Sequence, residues 1–440
     1  MNIVETGELL YSAVNYVSDT FKDYVRNPRK DFSRVRKLPF DKMLKIIIGM
    51  GGASLANELI EEYDALEHMA TVPAFIQQRD KIKPDAFEAV FHKFTSDVMQ
   101  TVSSGEMRIL AADGSDLHIP TDEKDKESFY PGTNNTAPYN LIHLNALYDI
   151  QKRIYVDACI HKNKAGNETG SLTNLADASA IKSALAIMDR GYEPYNVMAH
   201  IQEKGWKFLI RIKDGNTGIK QGLSLPETDE YDVPVNLSLT RRNTNKVKQL
   251  IKENNSYRRI NSRVVFDYLP LTIQNPEEIQ FFTLYFRIIR FRLDNGSYET
   301  IATNPAPSEY PKEKIKEMYA MRWSVEVSFR SLKYTVGLLR FHSKKMAGIW
   351  QEVFARLIMY NFSELATSHV AIKKKNRKYT YRADFSAAVK MCRKFIHAKI
   401  PPSDIEAIIS RNLIPVRPGR HRERSMPKHK RFIGFLYGIA

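Results

Sequence analysis

Two cysteines, Cys159 and Cys392, are all that 440 residues contain, so a disulfide scaffold is excluded, and so is a zinc site built on clustered thiolates. Long hydrophobic runs are missing too. The longest, Ile46 to Ala56, is broken by glycines and falls far short of the roughly 20 residues a membrane span needs. Glu5 and Glu8 stand where a signal peptide would be basic, and the expectation is a cytoplasmic, nucleoid-associated protein without a membrane partner. No GxxxxGK[ST], GxGxxG, HExxH or GxSxG string occurs. Nucleotide-driven, zinc-protease and serine-hydrolase chemistries therefore lack local support. Only three tryptophans are present: Trp206, Trp323 and Trp350.

What the chain has in excess is positive charge, +16 with a pI near 9.5, and that favours a polyanionic partner. Arg26, Arg29, Lys30, Arg34, Arg36 and Lys37 are interleaved with Tyr24, Phe32 and Phe40, which suits either a DNA-contacting arm or a plain soluble connector. Further basic stretches run over Lys373–Lys378 and from Arg411 to Arg431.

Helical periodicity dominates residues 1–104: Leu44, Ile47 and Ile48 recur at core spacing, Ser54 can cap Leu55–Tyr63, and Pro84 can open Asp85–Phe94. Then the period changes. Met107–Ala112 is an apolar run ending at Asp113, and His143–Tyr148 and Ile154–Ile160 flank the polar turn Asp149–Lys152, so three antiparallel strands are predicted. A helix around Leu175–Ser183, the run Leu185–Met188 ending at Asp189, a helix over Pro194–Glu203 and a strand over Lys207–Ile212 follow. This alternation predicts a mixed α/β sheet. Residues 215–303 read as a β-rich insertion, with strands over Val264–Leu271 and Phe281–Leu293 and a hairpin at Asn295-Gly296. A long helix over Lys312–Thr335 follows, then apolar helices over Ile349–Ala366 and Phe385–His397.

On that long helix Tyr319, Arg322, Glu326 and Lys333 are spaced by 3, 4 and 7 residues. At about 100° per residue they fall near ~0°, ~300°, ~340° and ~320°, one narrow stripe. A solvated charged face with Arg322–Glu326 support is the plainer reading. The functional reading is a carboxylate for a hard cation, with Arg and Lys to grip phosphate oxygens. Asp113 and Asp189 supply two more acids at strand ends, with Gly114 and Gly191 beside them leaving room for close approach. Two divalent ions can activate the attacking oxygen and stabilise the leaving one in phosphodiester cleavage. Asp116, Asp149, Asp157 and Glu168 compete as candidates.

The strings Leu110-Ala-Ala-Asp-Gly-Ser115, Ile187-Met-Asp-Arg-Gly-Tyr192, Phe208-Leu-Ile-Arg-Ile-Lys213 and Ala74-Phe-Ile-Gln-Gln-Arg79, with the Tyr319/Arg322/Glu326/Lys333 signature, resemble the DDE transposases of bacterial insertion sequences, insertion-sequence-four group. The resemblance spans about residues 30–360. It implies a ribonuclease-H-like mixed sheet core with a β-rich insertion before the glutamate. The domains expected are a helical N-terminal DNA-binding domain (1–104), the first part of the core (105–214), the insertion (215–303), the second part of the core (304–370) and a basic C-terminal region (371–440).

By that resemblance Asp113, Asp189 and Glu326 are the catalytic acids, holding two magnesium ions, with manganese able to replace them. Tyr319, Arg322 and Lys333 contact the phosphates of the transposon end, and Arg190 is added as a DNA contact. The activity implied is cut-and-paste transposition on double-stranded DNA, at the terminal inverted repeats and the target, through a hairpin intermediate and by a homodimer on DNA. Relatives use an insertion tryptophan to stack a flipped base, and none lies in 215–303 here; Tyr268, Phe281 and Phe291 are the stand-ins. The competing functions are a structure-selective nuclease on the same core and a non-catalytic DNA-binding derivative. Trp323 reads as core.

Overall fold

The computed structural model describes residues 2–34, 36–63, 69–101, 107–133, 136–162, 168–215, 218–271, 279–370 and 379–416. The basic stretch Lys373–Lys378 and the tail beyond Val416 lie outside them.

The chain opens with α1 (Ile3–Asp19), started by a reciprocal capping box between Asn2 and Glu5. Helices α2 (Phe40–Gly49), α3 (Leu55–Glu62), α4 (Val72–Arg79) and α5 (Asp85–Gln100) follow. Ser54 caps α3, accepting from Asn57 N at 3.3 Å. Next come β1 (Arg108–Ile119), β2 (Phe129–Tyr130), β3 (Tyr139–Asp149) and β4 (Ile154–Lys162). The three long strands pair antiparallel, β1 with β3 and β3 with β4, as expected. Asp113, however, does not end its strand: β1 runs six residues further, because Leu117 and Ile119 bury a second apolar stretch.

The order α6 (Glu168–Ala178), β5 (Ala184–Met188), α7 (Tyr195–Glu203) and β6 (Lys207–Arg211) gives the alternating part. Helix α6 starts earlier than periodicity predicts, burying Leu172, Leu175 and Ala176. Strands β1, β5 and β6 are parallel neighbours. Beyond them lie β7 (Tyr231–Thr240), α8 (Asn245–Glu253), β8 (Tyr257–Arg259), β9 (Phe282–Arg292) and β10 (Tyr298–Thr303). The β9–β10 hairpin turns at Asn295-Gly296, with Gly296 at φ 84°.

Strand β10 pairs antiparallel with β6, so one sheet of ten described strands runs on from the core through this segment, with β8 at its far edge. Val264–Leu271 is not a strand. Arg241 donates to the carbonyls of Asn261, Val264, Phe266 and Leu269, and that fixes the segment as an irregular loop. Its valines Val264 and Val265 are exposed.

The helix expected over Lys312–Thr335 is three pieces: α9 (Lys312–Ala320), α10 (Trp323–Arg330) and a π-helical turn at Ser331–Thr335. Between α9 and α10 the amides of Met321, Arg322, Ser324 and Val325 bond three residues back. The tightened and the widened turns both shift the phase of the predicted stripe. Helix α11 (Met346–Ser368), buried on nearly every side, is the axis of the helical layer. The chain continues through β11 (Thr380–Ala383), α12 (Phe385–Ile396), α13 (Pro402–Arg411) and β12 (Leu413–Val416), with β11 and β12 paired.

Two-residue alternation sorts β1. Ala111 and Leu117 pack in one core with α1, α2, α5, α10, α11 and α12. Leu110 and Ala112 pack on the other face, with Leu172 of α6 and Val197 of α7. The N-terminal helices therefore share a core with the helices after Glu326. Charged side chains inside this layer are paired: Arg79 Nη2 meets Glu352 Oε1 at 2.9 Å, and Arg356 donates to the carbonyls of Met50 and, at 2.7 Å, Gly51.

Candidate active site

Parallel pairing of β1 with β5 sets Ala111 opposite Ile187, so two residues further along each chain Asp113 and Asp189 come side by side. Asp113 shares a face of β1 with Ala111, the face that α10 covers through Val325 and Phe329. Glu326 is carried on α10. Asp189 ends β5 and caps a 3-10 turn, its Oδ1 accepting from Gly191 N at 2.8 Å. Asp113 Oδ1 accepts from Gly114 N at 2.9 Å. Burial first, then the charges of Asp189 and Glu326, push the Asp113 carboxyl up to about 6, against the Gly114 N–H and Arg322.

Arg322 Nη2 donates to Glu326 Oε1 at 2.7 Å. Its guanidinium lies 5.9 Å from the Tyr319 ring and 5.4 Å from the Trp323 ring. Trp323 is not core: it is 58% exposed, on the outside of α10, because the tight turn at Arg322 places it away from the sheet. Arg322 Nε and the Tyr319 hydroxyl are buried with no hydrogen-bond partner. Burial pushes the Tyr319 hydroxyl up to about 12. Lys333 Nζ donates to the Asp116 carbonyl at 2.9 Å, and burial lowers its pKa.

Arg190 is exposed and lines an open cleft of about 180 Å³ with Arg211, Asp214, Tyr298 and Thr300. Sequence reasoning gave Arg211 no role. Its Nε is buried without a partner and its charge reaches Tyr319. The sequence signal for it is its place inside the string Phe208-Leu-Ile-Arg-Ile-Lys213, at the end of an apolar run.

The competing acids sort cleanly. Asp149 is buried and held by Arg108 and Lys152 N, and Asp157 pairs with His92 at 3.0 Å; both serve the fold. Asp116 and Glu168 instead flank His143, at 2.7 Å from Nδ1 and 3.7 Å from Nε2. Burial works against a charge on His143, but these carboxylates outweigh it and push its pKa up to about 9. The facing imidazole in turn holds Glu168 below the usual carboxylate range. Of the aromatic stand-ins, Phe291 is 2% exposed, Tyr268 packs against Phe282 and His200, and Phe281 is 37% exposed.

Among the described residues, no group of three or more His, Cys, Asp or Glu side chains stands ready to hold a metal ion. The donor chemistry of Asp113, Asp189 and Glu326 nevertheless fits a hard divalent cation. Each carboxylate has one oxygen held by a single donor, and the charges of Asp189 and Glu326 raise the proton affinity of Asp113, a cost that a bound cation removes. Among the described residues, no helix is long and apolar enough to cross a membrane.

No curated protein matches this chain. Among solved structures it is similar to the piggyBac transposase synaptic complex with hairpin DNA, solved by cryo-electron microscopy, at TM-score 0.47 and 8% identity, over 97% of this chain and 88% of that one. Residues 104–362, more than half of the 440 and the span that carries both aspartates, Glu326 and most of α11, match the family described as Transposase DDE domain. The chain belongs to the DDE transposase family.

Proposed function

We propose that this chain is the cut-and-paste transposase of an insertion sequence, acting at the ends of its element on a ribonuclease-H-like core. The observation that carries the reading is the register of β1 against β5, which sets Asp113 beside Asp189, under a helix whose Glu326 charge is felt at Asp113.

Asp113, Asp189 and Glu326 would hold the divalent ions, Mg²⁺ by preference. When bound, these supply activation of the attacking oxygen and charge stabilisation at the leaving oxygen. The remaining work belongs to the side chains. Arg322 presents an unpartnered Nε and Tyr319 an unpartnered hydroxyl beside the acids, donors suited to phosphate oxygens of the cleaved strand. Lys333 adds a point charge on the other side of Asp113. Arg190 and Arg211 line the cleft toward β10, where Arg211 also pairs with Glu299 at 3.5 Å. Hydrolysis at the element's end frees a 3′-OH, which attacks the opposite strand and, after hairpin opening, the target; water is consumed in the hydrolyses and one phosphodiester replaces another in each transfer. One acid set per chain and two ends per element make a homodimer on DNA the working unit. The basic arm between Arg26 and Lys37 contacts DNA outside the cleavage site.

The test is cleavage of linear DNA carrying the element's inverted ends with Mg²⁺. End-specific nicks should appear, followed by hairpins, and should vanish with Glu326→Gln. Cutting that ignores the end sequence, or survives Glu326→Gln, refutes the reading.

A further inference from the structure

On the face of β1 turned away from Asp113, Gly114 has no side chain, and His143 and Glu168 close onto the strand there. A Cβ there would lie 2.3 Å from His143 Nε2 and 2.6 Å from Glu168 Oε1. The same carboxylate reaches the turn after β5: a Cβ on Gly191 would lie 3.1 Å from Asp189 Oδ1 and 3.8 Å from Glu168 Oε2. Glu168 therefore spans the two backbones that carry Asp113 and Asp189. It is held there on both sides. The Tyr192 hydroxyl donates to Oε1 at 3.3 Å, and His143, anchored through Nδ1 on Asp116 at 2.7 Å, turns Nε2 toward it at 3.7 Å. Lys333 closes the row by donating to the Asp116 carbonyl.

A separate observation lies beside Gly114. Asn145 is the strand partner of Gly114 on β3, 2% exposed, and neither end of its amide has a hydrogen-bond partner. By the two-residue alternation of a strand it shares a face with His143. A buried amide bare at both ends is uncommon in a folded chain and marks this spot as one where a polar partner is wanted.

We infer that Glu168 is a fourth acid serving the divalent-cation site, a positioning residue that acts from beside the Gly114 and Gly191 backbones rather than as a ligand, with His143 as its partner. The inference rests on the reading of Asp113, Asp189 and Glu326 as cation ligands. Glu168 lies on the opposite face of β1 from Asp113 and is already engaged by Tyr192 and His143, so its contribution is its negative charge and its hold on the turn after Asp189 through Tyr192. Partners of this kind change metal affinity by about 10–100-fold.

Calorimetric titration of Mn²⁺ into the 440-residue chain tests this, with melting curves of the cation-free proteins alongside. Glu168→Gln should weaken Mn²⁺ binding by about tenfold or more at an unchanged melting temperature. Glu168→Asp should recover most of the loss, and Asp113→Asn should abolish binding. Mn²⁺ binding by Glu168→Gln equal to that of the wild type overturns the inference. A loss that Glu168→Asp fails to recover, or one that merely follows a lowered melting temperature, overturns it as well. If Asp113→Asn also binds as the wild type does, the cation-site reading has failed, not Glu168 alone.

Discussion

Replacing Glu352 by glutamine tests whether buried ion pairs hold the helical layer together. Glu352 sits in the second turn of α11, 1% exposed. It accepts from His342 N at 2.9 Å and Ser343 N at 3.1 Å and pairs with Arg79 at 2.9 Å. Burial alone would raise its pKa, but Arg79, with His342 and Arg356 behind it, outweighs burial and pushes it down to about 2. The folded value lies below the ordinary glutamate value of about 4.3, so the ionised form favours folding; that stability is complete above about pH 5 and is lost as pH falls toward 2. At 1.36 kcal/mol per unit the shift is worth about 3 kcal/mol. Glu352→Gln strands the buried Arg79 charge, and breaking such a pair costs about 3–5 kcal/mol, a large part of a typical total of about 5–15 kcal/mol. Urea denaturation followed by circular dichroism at pH 7, 5 and 3.5 reads both effects. The variant should be less stable by about 3 kcal/mol at pH 7 and should lose less stability than the wild type on acidification. Equal stability at pH 7, or parallel acid dependence in the two proteins, would refute the reasoning.

Tyr319→Phe removes a buried hydroxyl that has no partner, so it should raise stability by about 1 kcal/mol while slowing cleavage of element ends several-fold; a variant as fast as the wild type contradicts the phosphate contact. Gly337 has φ 90°, with Gly52 close beside it. Gly337→Ala should cost about 1–2 kcal/mol in thermal or urea unfolding, and no loss would show that the segment after Lys333 relaxes freely.

The end of β5 at Asp189 was legible because an apolar run of strand length stops there, and the Arg322–Glu326 pair because its spacing is that of neighbours on a helix. Other features required pairing information that local sequence does not carry. Nothing local says that β1 continues past Asp113, since the apolar positions that bury its second half only make sense once β3 and the helical layer lie against it. The tight turn and the wide turn that interrupt the helix between Tyr319 and Lys333 were not legible from their spacing. Val264–Leu271 imitated a strand by composition, yet Arg241 captures its carbonyls before a neighbouring strand can. Trp323 was assigned to the core by residue type and faces solvent. The Glu168–His143–Asp116 row joins α6, β3 and β1 from positions 52 residues apart at the extremes, and only the register of the sheet reveals it. The string ending in Arg79 was noted for its resemblance alone, and its arginine proves to be half of the most deeply buried ion pair described above.

The pairing of β10 with β6 has a practical corollary for anyone trimming this chain to a minimal catalytic unit. Excising residues 218–303 as a detachable module would strip β6 of its neighbour and leave its amides and carbonyls bare, an adhesive rim of the kind along which chains stack into aggregates. A shortened version would need a substitute strand, or charged side chains along that rim, before its chemistry could be judged.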